Sequence, residues 1–219
     1  MVTMSRATED YLKAIYNLAH LGEAVTTSTL AAELGVSSPS VSAMLKRLED
    51  GDLLVRPEGS LRLTAAGELA ALRVVRRHRL LETFLARVLE VPWDEVHDEA
   101  ELLEHALSER LEERIDTALG HPTHDPHGDP IPPREGPHVE GRGTPLDAVA
   151  PGVRFHVERV SDRDSAALRY LGELGVLPGV VLTVEEQAPF GGPRWVRLGD
   201  ERHALGAALT RLVHGHVVS

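Results

Sequence analysis

The hydrophobic positions of the first fifty residues recur every three or four residues, which is the period of an amphipathic helix. The first apolar stripe predicts a helix over residues 6–20. It consists of Ala7, Tyr11, Ala14, Ile15 and Leu18. A second, short helix fits residues 27–34, and Gly35 directly after it suits a left-handed helix end.

A third helix is predicted over residues 39–50, because serine followed by proline at Ser38-Pro39 is a strong signal for a helix start. Its inward-facing positions are Val41, Leu45 and Leu48. After it, the apolar runs 53–55 and 61–63 flank a glycine-containing turn and predict a β-hairpin. A helix–turn–helix followed by a hairpin is the order of elements in a winged-helix DNA-binding domain.

Longer helical patterns occupy the centre of the chain. One helix, broken or bent near Gly67, is predicted over residues 65–90, and another over residues 99–118. The second helix has an apolar side formed by Leu102, Leu103, Ala106, Leu107, Leu111 and Ile115. Because no other core is predicted to cover such helices, they indicate a dimer interface.

The last third changes to a β pattern after a proline-rich stretch. Residues 121–151 contain 8 of the 14 prolines and are interpreted as a linker, in which histidines 121, 124 and 127 could bind metal but are more simply explained by packing. A short helix fits residues 165–174. Strands are predicted over residues 153–160, 180–185, 195–198 and 212–218. A five-stranded, barrel-like module of about 70 residues fits this pattern.

Composition and charge narrow the possible functions. The 219 residues contain no cysteine, which excludes disulfides, thiolate zinc sites and iron–sulfur clusters. We expect a cytoplasmic protein, because there is no signal pattern and no apolar run near the roughly 18 residues of a membrane span. The net charge of −11 argues against nucleic acid, but residues 1–87 carry 11 Lys and Arg against 10 Asp and Glu. The N-terminal surface is therefore compatible with DNA.

A candidate metal-binding set lies in the centre of the chain. Glu101, Glu104 and His105 stand at helical spacing, and His97 precedes them by one turn. A helix would place two carboxylates and an imidazole on one face, a set that holds hard or borderline divalent cations. The spacing alone is a weak signal, since acidic residues three apart usually form a solvated helix face.

Several blocks of the sequence resemble the diphtheria toxin repressor family of iron- and manganese-dependent regulators. They include TEDYLKAIYNL (8–18), SSPSVSAMLKRLEDGDLL (37–54), VHDEAELLEH (96–105) and HPTHDPHGDPIP (121–132). The segment SAALRYLGELGVLPG (165–179) resembles the SH3-like third domain of the longer members.

The resemblance implies an α+β protein with three domains. These are an N-terminal winged helix-turn-helix domain (1–72), a helical metal-binding and dimerisation domain with a Pro/His-rich tail (73–140), and a C-terminal SH3-like small β-barrel (145–219).

The resemblance also implies a set of metal ligands in this sequence. The main site falls on Asp10, Glu101, Glu104 and His105, with His78 and Glu82 as further participants and His97 in an ancillary site. The pair His78 and Glu82, four residues apart, could instead form a surface ion pair. From the third domain, Asp162 and Asp164 are nearby candidates.

The residue types at two of these positions bear on the choice of metal. Iron-type members of the family use sulfur-bearing side chains where this chain has Asp10 and Glu101, and manganese-type members use carboxylates. The ligand set therefore predicts manganese(II), with iron(II) as the alternative. Lys13 stands where manganese-type members often carry a second carboxylate, which argues against a two-manganese cluster.

The third helix is interpreted as the recognition helix. Short side chains at its start would face base edges and read thymine methyls and groove shape, while Lys46 and Arg47 would contact phosphates or merely solubilise the helix. The predicted DNA-binding residues are Thr27, Ser37, Ser38, Pro39, Ser40, Ser42, Ala43, Lys46 and Arg47. The arginines at 73, 76, 77 and 79 are interpreted as an exposed face, with phosphate contact or carboxylate pairing as alternatives.

We therefore expect a metal-dependent transcriptional repressor that binds double-stranded operator DNA as a homodimer when loaded with a divalent metal, and that controls metal homeostasis genes. Neither a membrane nor enzymatic activity is expected. One alternative is a winged-helix regulator that senses a non-metal ligand or a protein partner. The other is a carboxylate-bridged dimetal enzyme, which is disfavoured because Glu82 has no histidine three residues on.

Overall fold

The computed structural model describes residues 4–141 and 143–218 of the chain. These residues form two compact units. The first consists of the N-terminal residues through His78, together with Leu103–Glu112 and Pro132–His138. The second consists of Arg79–Leu102, Glu113–Ile131 and the chain from Val139 onward.

Three helices and a small hairpin form the N-terminal part of the first unit. They are α1 (Arg6–His20), α2 (Thr27–Leu34), α3 (Ser38–Asp50), β1 (Leu54–Val55) and β2 (Arg62–Leu63). Each helix begins after a hydroxyl side chain, because Ser5, Thr26 and Ser37 each accept a hydrogen bond from a backbone N–H three residues on. Gly35 ends α2 in the left-handed region, as predicted. The winged helix-turn-helix prediction is confirmed.

One aliphatic core holds these elements together. Its fully buried members include Leu12 and Ile15 of α1, Leu30 of α2, and Val41 and Leu45 of α3. Burying side chains of this size contributes about 1.5–3 kcal/mol each. The packing therefore fixes α3, with its outer face exposed, against the rest of the domain.

The long helix α4 (Ala65–Leu89) is continuous through Gly67, so of the break or bend predicted there, the break is wrong. A Cβ atom on Gly67 would collide with the carbonyl oxygen of Leu53. Glycine is needed at this position because the backbone before β1 approaches the helix closely.

The single helix predicted over residues 99–118 is in fact two helices, α5 (Val96–Leu103) and α6 (Glu109–Ala118). The hydroxyl of Ser108 accepts a hydrogen bond of 3.3 Å from the backbone N–H of Leu111, which starts α6 afresh. Glu104 and His105 therefore lie in the turn between the helices, and the prediction that they share a helical face with Glu101 is wrong.

The second unit contains a six-stranded antiparallel sheet in the order β3-β8-β4-β5-β6-β7. The strands are β3 (Thr144–Pro145), β4 (Val153–Val160), β5 (Val181–Gln187), β6 (Arg194–Leu198), β7 (Glu201–Leu205) and β8 (Val213–Val218), and the helices are α7 (Ser165–Glu173) and α8 (Ala207–Thr210). The sheet has one strand more than the predicted five-stranded module. Neither β3 nor β7 falls in a predicted strand range, because β3 is two residues long and β7 has little apolar alternation. Phe155, Val157 and Leu182 are among its fully buried side chains.

The proline-rich segment before the sheet, which was interpreted as a linker, is packed at residues 125–131. Asp125, His127, Asp129 and Ile131 are buried. The carboxylate of Asp125 accepts hydrogen bonds of 2.9 Å from the backbone N–H groups of both His127 and Asp129. This turn fixes the position of two potential ligands. Among the residues that the structure describes, no helix combines the length and apolar character that a membrane span requires.

Candidate metal centres and DNA-binding surface

The buried carboxylate of Glu104 is the centre of a first cluster. Lys13 Nζ donates to both of its oxygens, at 2.7 and 2.9 Å. His78 Nδ1 lies 2.7 Å from Oε2, and His105 Nε2 lies 3.2 Å from Oε1. Burial alone would raise the pKa of Glu104, but His78 and Lys13 outweigh it and hold the pKa below its ordinary value. The side chain is therefore a buried anion.

His105 joins this carboxylate to helix α1. Its Nε2 lies 2.7 Å from Asp10 Oδ1, and its Nδ1 lies 2.7 Å from Glu9 Oε2. Burial raises the pKa of Asp10, because it outweighs the attraction of His105 and Lys13. One ligand atom from each of Asp10, Glu104 and His105 lies within 4.8 Å of the others.

The chemistry of this cluster fits a divalent cation. Although carboxylate oxygens surround it, His105 Nε2 is buried and forms no hydrogen bond of normal geometry with the described residues. An imidazole nitrogen facing two carboxylates is a nitrogen and oxygen ligand set suited to manganese, iron(II) or zinc.

Two further residues contact this cluster, Lys13 and Glu9, and their contacts in it were not predicted from the sequence. Lys13 lies off the apolar stripe of α1 and yet is buried, because its ammonium pairs with Glu104. Glu9 contacts His105 and also accepts a hydrogen bond of 2.9 Å from Arg77. No periodicity distinguishes such charged positions from a solvated helix face.

A second cluster of potential ligands lies within the second unit and centres on the buried side chain of Glu82. His97 Nδ1 lies 3.3 Å from Glu82 Oε1 and 3.1 Å from Asp162 Oδ2. Burial lowers the pKa of His97, but hydrogen bonds to Asp162 and Glu82 outweigh it and raise the pKa to about 11. Glu101 also belongs to this unit, where its Oε1 lies 3.8 Å from His97 Nε2.

The buried residues Asp125 and His127 adjoin Glu82 in the same cluster. One ligand atom from each of the three lies within 4.8 Å of the others. His127 Nε2 lies 2.7 Å from the carbonyl oxygen of Trp93, which can only accept, so Nε2 donates. In the neutral ring, Nδ1 then carries no proton and offers its lone pair. This atom is buried and has no hydrogen-bond partner among the described residues. A histidine that donates its other N–H to a carbonyl is the usual arrangement of a metal ligand.

The carboxylates of this region repel one another. Burial, Asp129 and Glu82 together raise the pKa of Asp125 well above its ordinary value, against the opposing attraction of Arg79. Arg79 also pairs with Glu140 at 2.8 Å. A cation bound beside Asp125 would remove the repulsion. Asp125 is absent from the ligands predicted from sequence, and His127 is interpreted there as packing, although the histidine and aspartate spacing in HDPHGD was the available signal.

The outer face of α3 is available for DNA. The exposed side chains are those of Ser37 just before the helix and of Ser38, Pro39, Ser40, Ser42, Ala43, Lys46 and Arg47 on it. Thr27 at the start of α2 is half-buried. The serine hydroxyls have local partners, since Ser37 caps the helix and Ser42 donates to the Ser38 carbonyl oxygen at 3.1 Å.

The basic run on α4 pairs with carboxylates. Arg76 binds Glu112 at 3.1 Å, in addition to the pairs that Arg77 and Arg79 form with Glu9 and Glu140. The interpretation of this run as an exposed face is therefore wrong for these three arginines, and the alternative of carboxylate pairing is correct.

A winged helix followed by clusters of potential metal ligands and a small β domain is the arrangement of a metal-responsive regulator, and comparison with known families agrees. The family model described as "Iron dependent repressor, N-terminal DNA binding domain" matches residues 3–58. The model for the "metal binding and dimerisation domain" of the same repressors matches residues 64–133, and the FeoA domain matches residues 144–215.

The chain belongs to the iron-dependent repressor family of metal-dependent transcriptional repressors. It is similar to the iron-dependent repressor IdeR of Mycobacterium tuberculosis (strain ATCC 25618 / H37Rv), with 38% identity over 212 residues that cover 90% of this chain and 91% of IdeR. A solved structure described as a manganese-dependent transcriptional repressor in complex with manganese is 39% identical, covers 96% of this chain and 100% of its own, and has a TM-score of 0.89. The structure of the manganese regulator SloR is 33% identical in sequence, and the match covers 98% of this chain and 100% of the SloR chain with a TM-score of 0.81.

Proposed function

We propose that this repressor binds operator DNA as a homodimer when its clusters hold manganese(II), with iron(II) as the alternative activating ion. The observation that carries the proposal is the convergence of Asp10, Glu104 and His105, which supply only oxygen and nitrogen ligands. Manganese(II) binds weakly on the Irving–Williams scale, so a carboxylate-rich set suits it. Similar solved structures described as manganese-dependent favour manganese, whereas the name of IdeR keeps iron open.

The proposed ligands fall into two groups. Those of the first are Asp10, Glu104 and His105, with His78 beside them. Glu101, which the family resemblance assigns to the main site, lies in the second unit, 3.8 Å from His97 Nε2. Those of the second are Glu82, His97 and Asp162, to which we add Asp125 and His127. The second group has the buried lone pair of His127 as its strongest support.

The first group would couple metal binding to DNA binding through α1. Asp10 lies in the segment matched by the DNA-binding model, and Glu104 and His105 lie in the segment matched by the metal-binding model. Bound manganese(II) would supply the positive charge that lets these carboxylates share one space. With a metal bound, Asp10 would hold α1 at a fixed position, and α1 packs against α2 and α3 in one core. The DNA-competent arrangement would then be favoured by population shift.

We propose domain boundaries at 1–72, 73–140 and 145–219. The spans of the three family models support this division. Exposed leucines on the central helices, including Leu69, Leu102 and Leu111, are suited to the dimer contact. Because operator DNA is the partner, we place the protein's action in the cytoplasm.

A metal titration of DNA binding tests the proposal. Chelator-treated protein is mixed with a duplex selected from a random library in the presence of manganese, and binding is followed by fluorescence anisotropy. We expect no specific binding until manganese, iron(II) or cobalt is added, with manganese effective at free concentrations that match its cellular range. Equal binding with chelator and with every metal would contradict it and would favour a winged-helix regulator of another ligand.

The recognition helix yields a further prediction. Replacing Lys46 or Arg47 with Gln removes one charge, and we expect each change to weaken operator binding and to reduce the slope of log K against log salt by about 0.9, as loss of one phosphate contact does. Arg211→Gln is the control, since it removes the same charge from an exposed arginine in the C-terminal domain. If the three variants give the same slope as the parent protein, these side chains only solubilise the helix.

A further inference from the structure

A third group of potential ligands lies on the sheet of the C-terminal domain. In the pairing of β4 with β8, His156 lies directly opposite His216, and their ring centroids are 5.1 Å apart. Glu158 follows His156 by two residues on β4, and its Oε1 lies 2.9 Å from His216 Nδ1. Phe155 and Val157, between and beside them, point into the core. Strand alternation therefore places the two imidazoles and the carboxylate on the outer face.

The backbone around this group brings the three side chains together. The register of β4 and β8 shifts between Val157 and Arg159, so Glu158 is the extra residue of a β-bulge. A Cβ atom on Gly215 would collide with the carbonyl oxygen of His156, so glycine is needed there for the close approach of the two strands. A Cβ on Gly143 would lie 3.0 Å from Glu158 Oε2, so the backbone at Gly143 also lies close to this carboxylate.

We propose that His156, Glu158 and His216 bind a zinc-class divalent ion at a site separate from the two regulatory clusters. One ligand atom from each residue lies within 4.8 Å of the others. Two histidines and one glutamate are a known three-residue ligand set for tetrahedral zinc, with the fourth position left to water. Two nitrogens to one oxygen also distinguish this site from the carboxylate-rich clusters, because imidazole favours zinc over manganese.

An ordinary surface contact does not account for the group. His216 and Glu158 are about half exposed, and an exposed pair of this kind contributes little by itself. His156, however, has its Nδ1 atom shielded from solvent and without a hydrogen-bond partner among the described residues. A buried polar atom in this state requires an explanation, and metal coordination by the imidazole provides one.

Zinc titration of the full-length chain tests the site. Metal-free protein is titrated with zinc against a chromophoric chelator, which counts the equivalents bound. We expect His216→Ala and His156→Ala each to bind one equivalent fewer than the parent chain. The matched control is His214→Ala, which removes a histidine from the same strand but outside the group. Circular dichroism and manganese-dependent operator binding check that each variant is folded.

A second readout locates the ion independently of the count. Crystals grown with zinc should give an anomalous diffraction peak at the zinc edge between the three side chains. An unchanged stoichiometry in both folded histidine variants, or the absence of that peak at full zinc occupancy of the other clusters, would overturn the proposal. Either result leaves the proposed manganese response intact, because that response is measured separately by operator binding.

Discussion

Asp10→Ala is expected to abolish manganese-dependent operator binding while leaving the dimer intact. Asp10 is the ligand that we propose α1 contributes to the first cluster, and its carboxylate lies 2.7 Å from His105 Nε2. Loss of outer partners of metal ligands costs 10–100-fold in affinity, so loss of a ligand should cost on the order of 100-fold or more. The side chain is partly exposed, so its removal should have little effect on stability.

Two quantities are measured for each variant. The first is the manganese concentration needed for half-maximal operator binding, and the second is the mass of the protein in solution. Asp200→Ala is the control, since it removes an exposed aspartate in a turn of the C-terminal sheet. We expect only Asp10→Ala to lose the response, with both variants remaining dimeric by sedimentation. A normal manganese response in folded Asp10→Ala would show that the ligand assignment is wrong.

The second large expected effect is that operator DNA tightens the binding of manganese. If manganese tightens operator binding, the operator must tighten manganese binding by the same factor, which for coupled sites is about 5–150-fold. Calorimetric titration of the protein with manganese, alone and in complex with operator, measures this factor. A duplex of scrambled sequence and equal length controls for the attraction of manganese to DNA. Identical manganese affinity in the two states would exclude coupling through α1, even if the metal ligands are correct.

The N-terminal domain could be predicted from sequence because its signals are local. The apolar spacing of Val41, Leu45 and Leu48 fixes the buried face of α3, and Ser37 with Pro39 fixes where the helix begins. Similar alternation predicted β4 and β8 within a residue of their ends. Each of these features depends on residues a few positions apart in the chain.

The arrangement of the clusters could not be predicted because it depends on contacts between distant residues. Glu104 lies in a turn and not in the predicted helix, and it pairs with Lys13, which is 91 residues away in the chain. The partner of Arg76 is 36 residues away, so no local charge pattern distinguishes it from a solvated arginine. His127 lies in a proline-rich segment without periodicity, and only the fold reveals that it is buried beside Glu82.

The ammonium of Lys13 has a consequence for the sensitivity of the sensor. A cation that is part of the chain occupies both oxygens of Glu104 at an effective concentration that dilution cannot lower. If Glu104 binds the metal as proposed, the ion would have to displace this ammonium, and the response would need a higher metal concentration. Lys13 would then help to set the metal concentration at which the repressor responds.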